Sequence, residues 1–106
     1  MSALDAVLVD DDPLVRMSWK MVAQQKGKSI LLCNSVADFR EKMSELDRST
    51  PIYLDSNLGG DLRGEEFAME LAQEGFTEVF LATGYRTSDF EGLPGVKAVV
   101  GKDPPF

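Results

Sequence analysis

Short apolar runs alternate with longer amphipathic stretches along this chain. Ala6-Val7-Leu8-Val9 is apolar without interruption, as in a strand covered on both faces of a sheet. Asp12-Pro13 reads as a helix N-cap followed by a first-turn proline. Leu14, Val15, Met17, Trp19, Met21 and Val22 then form a broad helical stripe that Gly27 ends. Ile30 to Cys33 predicts a second strand. Ser35-Val36-Ala37-Asp38 resembles a capping box with Asp in place of Glu, and Val36, Phe39, Met43 and Leu46 follow at helical spacing. Pro51-Ile52-Tyr53-Leu54 predicts a third strand that runs into Asp55, and Ser56 to Arg63, with Gly59-Gly60, reads as a loop. Phe67, Ala68, Leu71 and Ala72 mark a third helix closed by Gly75. Val79 to Ala82 and Val96 to Val100 complete a set of five strands.

Strands alternating with helices imply an α/β domain built on a parallel sheet. No repeat, low-complexity tract or linker interrupts the pattern, and 106 residues make one domain, 1–106. In open sheets of this kind ligands lie beyond the carboxyl ends of the strands. The residues expected there are Asp10, Asp11 and Asp12 after the first strand, Asp55 after the third, Thr83 after the fourth and Lys102 after the fifth.

Composition narrows the chemistry. A net charge of −7 argues against a general nucleic-acid surface. The chain has no histidine, which removes imidazole acid/base catalysis, imidazole metal sites and any phosphohistidine role of its own. The single cysteine, Cys33, lies in an apolar run and reads as a buried thiol. The N-terminus lacks the basic region of a signal peptide, and no apolar stretch reaches the length of a membrane span. A cytoplasmic location is the expectation.

Clustered carboxylates repel one another in a partly dry cleft, and a hard divalent cation relieves that repulsion. A neighbouring Lys and Thr can receive phosphoryl oxygens by charge and hydrogen bond. Together these groups suit phosphoryl transfer to a carboxylate nucleophile.

The string VLVDDDPLVR, then YLD, ATG and GK, in that order and over nearly the whole chain, resembles the receiver domain of two-component response regulators. The resemblance implies a doubly wound, flavodoxin-like sheet of five parallel strands in the order 2-1-3-4-5. It implies Asp55 as the phosphoacceptor, with Thr83 bonding and Lys102 pairing with the phosphoryl group. Mg²⁺ is the implied cofactor, with Asp11 as direct ligand, Asp10 holding metal-bound water, Asp55 beside it and the Asn57 carbonyl completing the set. Gly84 matches the small residue that keeps the pocket open. The implied donor is a histidine kinase or phosphotransfer protein, and no nucleic acid or membrane is implied as a partner.

Three departures qualify the match. Lys102 is followed by Asp103 where the family has proline after a cis bond, so either the lysine points differently or the bond stays cis at a cost of several kcal/mol. Val99 stands where the family often has a switching aromatic. The stretch from Thr83 to Lys102 is short, which leaves a fourth helix reduced to a turn or two around Thr87 to Glu91, and the sequence stops before a fifth. A sheet face left partly bare by a missing helix is expected to pair with a second copy or dock on another domain. Tyr85 is expected to shield an acyl phosphate from water. Arg16 is open between a surface charge and a partner contact.

Two other functions compete. A haloacid-dehalogenase-like phosphatase would use Asp10 as nucleophile and Asp12 as acid/base, leaving Asp55 idle. An interaction module that is never phosphorylated would retain the fold alone.

Overall fold

The computed structural model describes residues 4–55, 63–83, 95–102 and 104–106. The elements run β1 (Ala6–Val9), α1 (Pro13–Lys26), β2 (Ile30–Cys33), α2 (Val36–Lys42), a 3₁₀ turn (Met43–Glu45), β3 (Ile52–Asp55), α3 (Gly64–Gln73), β4 (Val79–Ala82) and β5 (Ala98–Val100). The strands form one sheet in the order β2-β1-β3-β4-β5, and all four pairings are parallel. This is the expected doubly wound α/β arrangement.

Local signals act as the sequence suggests. The Asp12 side chain accepts a hydrogen bond from the Leu14 amide at 2.9 Å, and Pro13 opens α1. Gly27 ends the helix in the left-handed region, φ 67°, where a side chain would cost energy. Ser35 caps α2 through the Asp38 amide at 3.1 Å.

Two cores form because successive strand residues point to opposite faces. On one face Val7, Val9, Cys33, Ile52, Leu54, Val79 and Leu81 pack with Phe39 of α2, Phe67 and Leu71 of α3, and Phe76. On the other, Ala6, Leu8, Tyr53 and Ala82 pack with Trp19 of α1.

Two expectations need correction. The six-residue apolar stripe of α1 is not a single buried face. Trp19 and Ala23 point inward, while Leu14, Met17 and Met21 are 73, 58 and 53% exposed. At 3.6 residues per turn those three lie on the side of the helix opposite Trp19. β5 is also shorter than 96–100. A turn at Gly95 (φ 79°) brings the chain in, and the Lys97 amide bonds the Val79 carbonyl at 2.7 Å before the strand begins at Ala98. The sequence expectation of a short helix around Thr87 to Glu91 lies outside the described residues. No helix follows β5 among the described residues, and the tail leaves Phe80 and Val100 only partly covered.

Candidate functional site: an acidic pair bridged by lysine

Strand register assembles the site. Val9 is level with Leu54, so Asp10 and Asp55 both emerge one step later at the carboxyl edge. Asp55 is level with Ala82, which puts Thr83 one step beyond it, and Ala82 is level with Val100, two residues before Lys102. Residues distant in sequence thus meet at neighbouring strand ends.

Asp10 is fully buried, and every oxygen it offers is engaged. Its Oδ1 accepts from the Asp12 amide at 2.9 Å, its Oδ2 accepts from Lys102 Nζ at 2.6 Å, and its carbonyl accepts from Arg16 Nη1 at 2.8 Å. The same lysine ammonium donates to Asp55 Oδ1 at 2.7 Å. Lys102 therefore points into the acidic pair although Asp103 follows it. The bond between Lys102 and Asp103 lies outside the described residues. Burial works against the lysine's charge, but the hydrogen bonds it donates to Asp10 and then Asp55 outweigh it. The ammonium holds its proton above the usual lysine range.

Asp11 is exposed, and its carboxylate lies within 4.8 Å of those of Asp10 and Asp55. Three hard oxygen donors from two strand ends, with room on the solvent side, suit Mg²⁺, which takes a few carboxylates and keeps several waters. The donor set fits that ion: Asp11 offers an exposed carboxylate, and Asp10 and Asp55 add theirs beside the shared lysine. Asn57, the fourth expected ligand, lies outside the described residues, as do Gly84 and Tyr85. Thr83 is buried at the end of β4, with its amide bonded to the Val100 carbonyl at 3.0 Å. Asp12 is exposed and accepts from the Leu14 amide as the cap of α1, a structural role distinct from the acid/base role of the phosphatase reading. Val99 is partly buried against the core on the α2 and α3 side.

The sequence did not disclose three supporting residues. Arg16, left open as surface or contact, is tied to the Asp10 carbonyl. Gly64, the first residue of α3, presses on the end of β3. A Cβ there would lie 2.1 Å from the Asp55 carbonyl oxygen. A glycine opening the helix that follows a strand-end Asp is the signal the sequence offers for this contact. Trp19, in sequence a residue of the α1 stripe expected to be core or partial surface, donates from its Nε1 to the Lys102 carbonyl at 2.8 Å.

Fold and site together define a doubly wound α/β domain with a lysine-bridged carboxylate pair at the carboxyl edge of its sheet. No protein-family model matches the sequence, and the search of curated proteins finds no match. Among solved structures, the chain is similar to a CheY-like response regulator receiver domain protein from Methanospirillum hungatei JF-1. The TM-score is 0.76 at 21% identity, over 95% of this chain and 82% of that one. It is also similar to the chemotaxis response regulator CheY4 of Vibrio cholerae, at TM-score 0.75 and 20% identity, over 99% of this chain and 89% of that one. The chain has the fold of CheY-like response regulator receiver domains.

Proposed function

We propose that this domain is a phosphorelay receiver that takes a phosphoryl group on Asp55 from a partner histidine kinase or phosphotransfer protein. The observation that carries the reading is the single ammonium of Lys102 shared between Asp10 and Asp55, beside the third carboxylate of Asp11. Such sharing holds a nucleophilic carboxylate at a fixed place and keeps a cation ready for incoming phosphoryl charge.

In the transfer, an Asp55 carboxylate oxygen attacks phosphorus and an O–P bond forms. The N–P bond of the donor phosphohistidine breaks, and its electron pair returns to the imidazole. Lys102 exchanges one carboxylate for a phosphoryl oxygen, and Thr83, at the adjoining strand end, donates a hydrogen bond to another. Asp11 and Asp55, with Asp10 nearby and the Asn57 carbonyl, would hold Mg²⁺, which would supply positive charge to the phosphoryl oxygens. The acyl phosphate adds roughly −1.5 to −2 charges to this edge at neutral pH, and partners read that change by contact. The domain turns over no external substrate; it loads and slowly clears itself. A cytoplasmic setting suits a kinase partner, and no helix among the described residues is long and apolar enough to cross a membrane.

Intact mass measurement after incubation with acetyl phosphate and Mg²⁺ tests the reading. One phosphoryl group is expected on the native chain and none on Asp55→Asn. Label on Asp10 instead points to phosphatase-like chemistry. No label on the native chain, with no binding of beryllofluoride, leaves only an interaction module.

A further inference from the structure

Lys102 must reach two carboxylates at once, yet the strand that carries it ends at Val100. Among the described residues, the Ala82–Val100 pair and the bond from the Thr83 amide to the Val100 carbonyl end the β4–β5 ladder. Gly101 then sits in open space, with nothing within 4 Å of the place a Cβ would occupy. A glycine so placed leaves its two backbone torsions weakly restrained. The ladder alone does not set the direction of the next residue.

The first fixed point beyond it is the Lys102 carbonyl, which accepts from Trp19 Nε1 at 2.8 Å. Trp19 is itself rigidly seated. It is fully buried, edge-on to Tyr53 at 5.2 Å between ring centres and to Phe106 at 6.3 Å. Tyr53 lies two residues before Asp55 on β3. One ring thus touches the acceptor strand through its edge contact and the lysine's peptide group through its N–H. A buried indole N–H needs an acceptor, and the Lys102 carbonyl supplies it. The same bond pins the residue that follows Gly101.

We infer that Trp19 is the positioning residue that aims Lys102, its indole N–H holding the Lys102 carbonyl so that the ammonium falls between Asp10 and Asp55. The inference rests on the phosphoacceptor reading for its kinetic consequence and on geometry alone for the aim.

Trp19 is the only tryptophan in the chain, so biosynthetic replacement by 3-benzothienylalanine alters this position alone. That isostere keeps the two fused rings and lacks the N–H. Trp19→Phe is the encoded counterpart. In protein labelled with ¹⁵N-lysine, the Lys102 ammonium signal, assigned by its absence from Lys102→Ala, reports the ion pair by slow proton exchange. Loss of that protected signal in the isostere protein, with circular dichroism and melting unchanged, is the expected result. Labelling of Asp55 by acetyl phosphate is expected to fall as well, by up to roughly a hundredfold for an ångström-scale misplacement. In a Lys102→Ala background the isostere is expected to cause no further fall. A Lys102 signal unchanged in shift and exchange overturns the inference, whether or not the chain accepts a phosphoryl group. An equal further fall in the Lys102→Ala background does the same, because it marks Trp19 as a packing residue only. If the signal is lost as expected but native protein is never labelled, the aim stands and the phosphoacceptor reading is what fails.

Discussion

The two faces of the sheet are built differently. The face under α2 and α3 holds a closed aromatic group, with Phe39 edge-on to Phe67 at 5.7 Å and tilted against Phe76 at 6.3 Å, all buried. Among the described residues, the α1 face is covered by one helix and the tail. Tyr53 stacks on Phe80 at 4.7 Å, and Phe80, Val100 and Phe106 stay partly exposed. The heavier face backs Asp55, since α3 begins at Gly64 against the Asp55 carbonyl. The lighter face backs the lysine, through Trp19 and the Lys102 carbonyl. One side mainly supplies stability and abuts Asp55. The other holds the lysine that bridges Asp10 and Asp55.

If that division is right, equal truncations on the two faces have unequal costs. Phe67→Ala removes a ring that is 1% exposed and is expected to destabilise by about 3–5 kcal/mol. Phe106→Ala removes a partly exposed ring in one edge contact and is expected to cost under about 1.5 kcal/mol. Urea midpoints of the two variants measure the difference, and equal losses would refute the contrast between faces.

A smaller change probes the junction of stability and chemistry. In Gly64→Ala the new methyl carbon meets the Asp55 carbonyl oxygen at 2.1 Å and the Leu81 side chain at 3.0 Å. Backbone cannot give way as a side-chain tip does, so α3 or the end of β3 must shift. The expected cost is about 1–3 kcal/mol. Labelling of Asp55 is expected to slow even where the variant is fully folded. A variant as stable and as readily labelled as the native chain would show that the helix start does not fix the acceptor.

The fold was largely legible because its signals are local. Apolar runs of four residues marked the strands, and Asp12, Ser35 and Gly27 marked helix ends with their own hydrogen bonds or torsions. The site was legible in part. Asp10, Asp55 and Lys102 meet as expected because a parallel sheet brings successive strand ends to one edge. What the sequence concealed depends on contacts across long separations. Whether Lys102 would turn toward the acids without a following proline is decided by Trp19, 83 positions earlier. Helical periodicity also could not say which side of α1 is covered, because apolar residues occur on both sides and only the width of the sheet face limits how many are buried.

Cys33 sharpens the comparison at its most sensitive. The thiol sits on the heavier face at the end of β2, where burial first, and then the charge of Asp38, push its pKa from 9.0 up to about 11 against the opposing pull of Lys42. Because the folded value lies above the unfolded one, the neutral thiol favours the fold equally at every pH below about 9. That contribution is lost as pH rises toward about 11, when the unfolded chain ionises first. Near neutrality, then, stability is expected not to vary with pH on this account, and the raised pKa shows only in reactivity, since the thiolate is the nucleophile. At pH 8 iodoacetamide should modify Cys33 slowly in the native chain and rapidly in urea, followed by intact mass. Modification that needs the fold to open reads the opening equilibrium of the layer containing the thiol. Phe67→Ala should therefore speed alkylation strongly, while Phe106→Ala should leave it nearly unchanged. Equal acceleration by both would mean that the two faces open as one unit, and that their different construction has no separate consequence for motion.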